Sequence, residues 1–145
     1  VFNSHYAVPF QMGTREAAAA LRRAVAPGGV MLMNVISAVE GPDGRLFQSI
    51  FNALEQSFAE VQVYCAGGET PDKLQNLMVA AFPERRGAEG VGTAPAEAGP
   101  DAAEGAVSLS AMLASRYTGK QPFTTPALTD DFAPVERYTL VLLRQ

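Results

Sequence analysis

The chain has 145 residues, 48% of them hydrophobic and 18% charged, the make-up of an ordinary globular domain. Eleven Lys and Arg against fifteen Asp and Glu leave a net charge of −4, so no cationic surface is available for a nucleic-acid backbone or an anionic bilayer. One cysteine, Cys65, and one histidine, His5, exclude an internal disulfide framework and argue against a zinc cage or other metal site, which leaves carboxylates, hydroxyls, amides and backbone to do any chemistry.

The opening Val1-Phe2-Asn3-Ser4-His5-Tyr6 has neither an initiator Met nor a basic-then-apolar leader, and it reads as a chain cut inside a domain. Thr14, Arg15 and Glu16 before four alanines predict a helix start, with a hydroxyl cap, an acid in the first turn and Ala17, Leu21 and Val25 about one turn apart. Pro27-Gly28-Gly29 ends that helix. Residues 30–36 are apolar on both alternating faces, which predicts a strand covered on both sides, as in a parallel sheet flanked by helices. This run is also far shorter than the roughly 20 residues a membrane span needs.

Gly41-Pro42-Asp43-Gly44 predicts a turn in which Asp43 caps a second helix, whose Leu46, Phe47, Ile50, Phe51, Leu54 and Phe58 make one apolar stripe. Gln48, Asn52, Glu55 and Gln56 fill the other face. Residues 60–65 alternate with period two, which predicts a half-covered strand, and after Gly67-Gly68 residues 77–82 predict another. Two strands in direct succession pair antiparallel at one edge, whereas strands alternating with helices give an α/β layer architecture.

Residues 83–106 contain seven Ala, five Gly, three Pro and four Glu, too little apolar surface to offset their ordering entropy, and predict a flexible insertion. Val107, Leu109, Met112 and Leu113 predict a short helix ending near Gly119, and residues 122–136 a loop. Residues 138–143 have strand composition, with a helix also compatible.

Two polar clusters are candidates for chemistry. Asn3, Ser4, His5 and Tyr6 precede Val8-Pro9 in a loop that would leave a preceding strand and so could face a ligand crevice, or simply lie on the surface. Asp130, Asp131 and Glu136 put three carboxylates in seven residues around Pro134; such acids bind a cationic amine or cap a neighbouring helix. Cys65, at an inward strand position, reads as a small core residue.

Phe2-x-Ser4-x-x-x-Val8-Pro9, Thr14-x-Glu16, Ala26-Pro27-Gly28-Gly29-Val30 with Asn34-Val35-Ile36, Phe58-x-x-Val61-x-Val63-Tyr64 and Leu128-Thr129-Asp130-Asp131-x-Ala133-Pro134-Val135-Glu136 resemble the later half of the spermidine synthase-like family. That resemblance spans nearly the whole chain outside residues 83–106, and its last motif is the most specific. It implies a partial Rossmann-like, class I methyltransferase-like three-layer sandwich, residues 1–145 being the carboxyl-terminal half of one domain with an antiparallel edge strand. It also implies a transferase moving an aminopropyl or methyl group from decarboxylated S-adenosylmethionine or S-adenosylmethionine to a small amine, in the cytoplasm.

The family's glycine-rich nucleoside turn and ribose-gripping acid belong to an earlier half, so the resemblance implies no donor site in this chain and no activity for it alone. The catalytic aspartate would lie immediately before Val1, and the second acid of the family's Asp-x-x-Asp pair falls on Asn3, whose neutral amide attracts a cationic amine less than a carboxylate does. Asn3, His5 and Tyr6 would line the acceptor side, with Asp130, Asp131 and Glu136 adding negative field. A non-catalytic binding or assembly module of the same fold is the alternative. Either way residues 30–36 leave an apolar edge for a second copy or the missing half to pair with.

Overall fold

The computed structural model describes residues 10–86, 109–119, 123–134 and 137–138. Asn3, His5, Tyr6 and Glu136, most of the predicted insertion and nearly all of the carboxyl-terminal run lie outside them; Arg137 and Tyr138 are helical.

Helix α1 spans Arg15–Ala24, and Thr14 caps it as predicted, its hydroxyl accepting the Ala17 N–H at 3.2 Å. Glu16 in the first turn and Arg22 and Arg23 in the last complement the helix dipole. Gly28, at φ +72°, supplies the left-handed turn that no side chain favours and leads into strand β1, Met31–Ser37.

Helix α2, Arg45–Glu55, follows a short 3₁₀ turn at Pro42–Gly44. Asp43 does not cap it. The cap position falls on Gly44 with no side-chain bond, and Asp43 contributes its backbone carbonyl to the Ser37 hydroxyl at 3.2 Å. The 3₁₀ turn moves the helix start past Asp43, and a side chain at Gly44 would meet the Val39 carbonyl at 2.7 Å.

Strands β2, Glu60–Cys65, and β3, Gln75–Phe82, complete a three-stranded sheet in the order β1-β3-β2, with both pairings antiparallel. Thus β1 and β2 run parallel and are joined through α2, as the alternation of elements implies, but β3 inserts between them. The β2–β3 connection is too short for a parallel crossover, which needs a dozen or more residues, so β3 must turn back. Among the described residues the small sheet therefore has no parallel neighbours.

The register separates two faces. Met31, Val35, Val61, Val63, Leu77, Val79 and Ala81 point to the core under α1 and α2, whose Ala18, Leu46, Phe47, Ile50, Phe51 and Leu54 are buried with them. Phe47, Phe51 and Phe123 pack tilted or edge-to-face, with centroids 5.3–5.8 Å apart. Tyr64, Ala80 and Phe82 face the other way, against Leu113 of helix α3, Leu109–Ala114.

Coverage of the strands reverses the expectation from their sequences. β1 is covered on one side only, with Leu32 62% and Ile36 44% exposed, because α3 lies over the β2 side of that face. β2 is buried on both faces from Val61 to Cys65. Its outward Gln62 is satisfied internally, donating to Glu60 and accepting from the Tyr64 hydroxyl. The described residues include the start of the predicted insertion up to Arg86, whose N–H donates to Glu60 at 2.9 Å and whose guanidinium lies 4.4 Å from the centre of the Phe82 ring.

On the polar side of α2, Glu55 and Gln56 are exposed, whereas Gln48 and Asn52 are turned to the protein. Gln48 donates to the Val39 carbonyl at 3.0 Å, and Asn52 donates to the Phe123 and Thr125 carbonyls at 2.9 and 2.6 Å, strapping the loop onto the helix. Among the described residues, no helix is long and apolar enough to cross a membrane, and no cluster of three metal-ligating side chains forms.

Candidate functional site

Because β1 and β2 are parallel, their carboxyl ends meet at one end of the sheet, and the loops leaving them build a shared rim. Val39 and Glu40 both donate backbone N–H groups to the Pro71 carbonyl, at 2.8 and 3.0 Å, which ties the loop after β1 to the loop after β2. Buried Gln75 holds the second loop from within: it accepts the Glu69 N–H at 3.2 Å and donates to the Glu69 and Thr70 carbonyls at 3.1 and 2.9 Å. Gly68, at φ +73°, makes the intervening turn and donates to the Cys65 carbonyl at 3.1 Å. The backbones of Glu40 and Glu69 are thus fixed while both residues remain exposed.

Between them lies an open depression of about 520 Å³, bordered by Glu40, Cys65, Glu69, Pro71, Arg116 and Tyr117, within the size range of small-ligand sites. Its far wall is residues 115–117, laid antiparallel along β2. Cys65 N–H donates to the Ser115 carbonyl at 3.0 Å and Tyr117 N–H to the Val63 carbonyl at 2.9 Å. The Tyr117 hydroxyl reaches across to donate to Glu40 Oε1 at 2.8 Å.

Two carboxylates, Glu40 and Glu69, and one guanidinium, Arg116, border the depression. Among the described residues neither Glu40 nor Glu69 has an ion-pair partner, since the Arg116 guanidinium is drawn 3.7 Å from Glu60 instead. Burial works to raise the Glu60 carboxyl, but the Gln62 and Arg86 hydrogen bonds and the Arg116 and Arg86 charges hold it below its ordinary value. Burial, then the bond to Glu40 and its charge, push the Tyr117 phenol up to about 12. Burial and, secondarily, Glu40 also raise the Cys65 thiol, so this sulfur stays protonated and behaves as core.

Asp130 lies elsewhere, at the start of α1. The Thr14 hydroxyl donates to its Oδ1 at 2.7 Å, its own N–H donates to Glu16 Oε2 at 3.1 Å, and Arg15 N–H donates to the Leu128 carbonyl at 2.8 Å. Glu16 is held below its ordinary pKa by its own backbone N–H first, against some burial, and then by Asp130 N–H and Arg15. Two of the motifs behind the family resemblance therefore meet as one helix-capping cluster. Asp131 is exposed on the adjoining turn closed by Thr129 and Phe132.

The acids at the rim, Glu40 and Glu69, were not singled out from the sequence. Each lies just past the carboxyl end of a predicted strand next to a glycine, the position where loops of open α/β sheets carry ligand groups. Tyr117 carries no comparable sequence signal.

No family model matches the chain, and no curated protein matches it significantly. Among solved structures it is similar to a probable spermidine synthase from Corynebacterium glutamicum, with 18% identity and a TM-score of 0.49; the match covers 61% of this chain and 31% of that one.

Proposed function

We propose that this chain is part of a spermidine synthase-like transferase and that the depression at the ends of β1 and β2 receives the cationic amine acceptor. The observation that carries this reading is the pair of exposed carboxylates, Glu40 and Glu69, on fixed backbones at the shared strand ends, neither of them ion-paired among the described residues because the Arg116 guanidinium beside them lies against Glu60. An ammonium group there would gain charge-assisted hydrogen bonds. The family resemblance of the sequence supplies the reaction: the sulfonium carbon–sulfur bond breaks, a carbon–nitrogen bond forms and the amine loses a proton, with placement of the amine contributing most of the acceleration.

As the family resemblance implies, the adenosyl sulfonium donor is assigned to an earlier half of the domain and not to this chain. At the strand-to-helix turn after β1, Gly44 is packed against the chain's own Val39 carbonyl, so this glycine serves a close backbone approach within the protein. The chain by itself is accordingly proposed to be inactive. The test uses the whole polypeptide that contains this chain, incubated with 1,4-diaminobutane and either S-adenosylmethionine or its decarboxylated form. Alkylated amine with one donor supports the reading and identifies the group transferred; no amine product with either overturns it.

The outer edge of β1 favours an assembly role alongside catalysis or in place of it. No strand among the described residues pairs with that edge, and Val30, Leu32 and Ile36 beside it are exposed. A second copy or the preceding half of the same domain would complete the sheet there.

A further inference from the structure

We infer that Tyr117 is a positioning residue that aims the Glu40 carboxylate at the acceptor's ammonium group, an inference that rests on the amine-site reading above. Glu40 is exposed on a loop, and an exposed glutamate loses rotamer freedom when it binds a ligand. The hydroxyl of Tyr117 removes part of that freedom beforehand by donating to Glu40 Oε1 at 2.8 Å. A carboxylate has about four acceptor positions, so Oε2 and the remaining Oε1 lone pair stay available to a ligand.

Tyr117 is itself held firmly enough to do this. Its N–H donates to the Val63 carbonyl at 2.9 Å, and its ring stacks on Phe123, with centroids 6.5 Å apart and planes 22° from parallel. Phe123 is in turn packed against Phe47 and Phe51 of α2. The hydroxyl therefore projects from the core toward the rim, and its phenol, pushed up to about 12, remains a donor at neutral pH. Preorganisation of this kind raises affinity by reducing what must be ordered on binding.

The test is a double-mutant cycle on 1,4-diaminobutane affinity, measured by calorimetry with the whole polypeptide containing this chain, using Tyr117→Phe, Glu40→Gln and both together. Phenylalanine keeps the ring and its stacking. The expected result is that Tyr117→Phe weakens binding roughly tenfold when Glu40 is present and has no effect when Glu40 is already Gln. Diamine addition should also perturb the tyrosine absorption band, and that part of the difference spectrum should vanish in Tyr117→Phe. Equal loss in both backgrounds, or no loss in either, overturns the positioning role while leaving the amine site intact if Glu40→Gln alone weakens binding. If Glu40→Gln changes nothing, the amine site and the positioning role both fail.

Discussion

The two edges of the sheet are finished differently. Along β2, residues 115–117 lay down a short antiparallel segment that closes the edge and carries Tyr117 to the rim of the depression. Along β1 no such segment occurs among the described residues, and there is neither a charge nor a proline in residues 30–37 to discourage pairing. Apolar side chains on both faces of β1 show what that strand needs covered, without showing that this chain covers it. The polar alternation in β2 is equally indirect, since Gln62 and Tyr64 are buried and bonded to each other.

The largest effects should separate the paired interior from the open edge. Leu77→Ala, at a fully buried position of β3, should cost about 2–5 kcal/mol in urea denaturation, and Leu32→Ala, on the exposed side of β1, less than about 0.5. Similar costs for the two would mean that β1 is already covered. Thr14→Ala removes the α1 cap together with the bond to Asp130, and its expected cost of about 1–2 kcal/mol can be read from the same transitions.

Smaller in energy, but specific to the edge, is the response of self-association. If a second copy pairs with β1, the chain sediments as a dimer and Leu32→Lys with Ile36→Lys restores the monomer. A wild-type monomer would count against pairing of this edge with a second copy.

The mildest prediction concerns alkali. The folded-state phenol of Tyr117 is raised, so its contribution to stability is intact below its ordinary value of 10 and is lost as the pH climbs through about 12. Absorbance near 295 nm should show Tyr117 titrating late, as a component lost in Tyr117→Phe, with a midpoint that falls in Glu40→Gln; an unchanged midpoint would separate Tyr117 from Glu40.

Much of the fold was legible because it is written locally. The Thr14 cap, the stripe of α2 and the bounds of β2 are set by neighbouring residues. The insertion of β3 between β1 and β2 was not legible, since hydrophobic pattern gives strands but not their order. Asp43 has the chemistry of a cap, but the 3₁₀ turn moves the helix start beyond it. At the site, Glu40 and Glu69 could have been found by inspecting the residues just past the carboxyl end of each strand. Tyr117 could not, because its bond to Glu40 joins residues 77 apart in the chain. For Asp130 the sequence offers both amine binding and helix capping; its Oδ1 accepts the hydroxyl of Thr14, the residue that caps α1, and its N–H donates to Glu16.

The most direct test of the amine site is to map 1,4-diaminobutane onto the folded protein by backbone amide chemical-shift perturbation. The depression predicts shifts concentrated at residues 40, 65–69 and 115–117. Shifts centred instead on residues 128–132, or none at millimolar diamine, would contradict it.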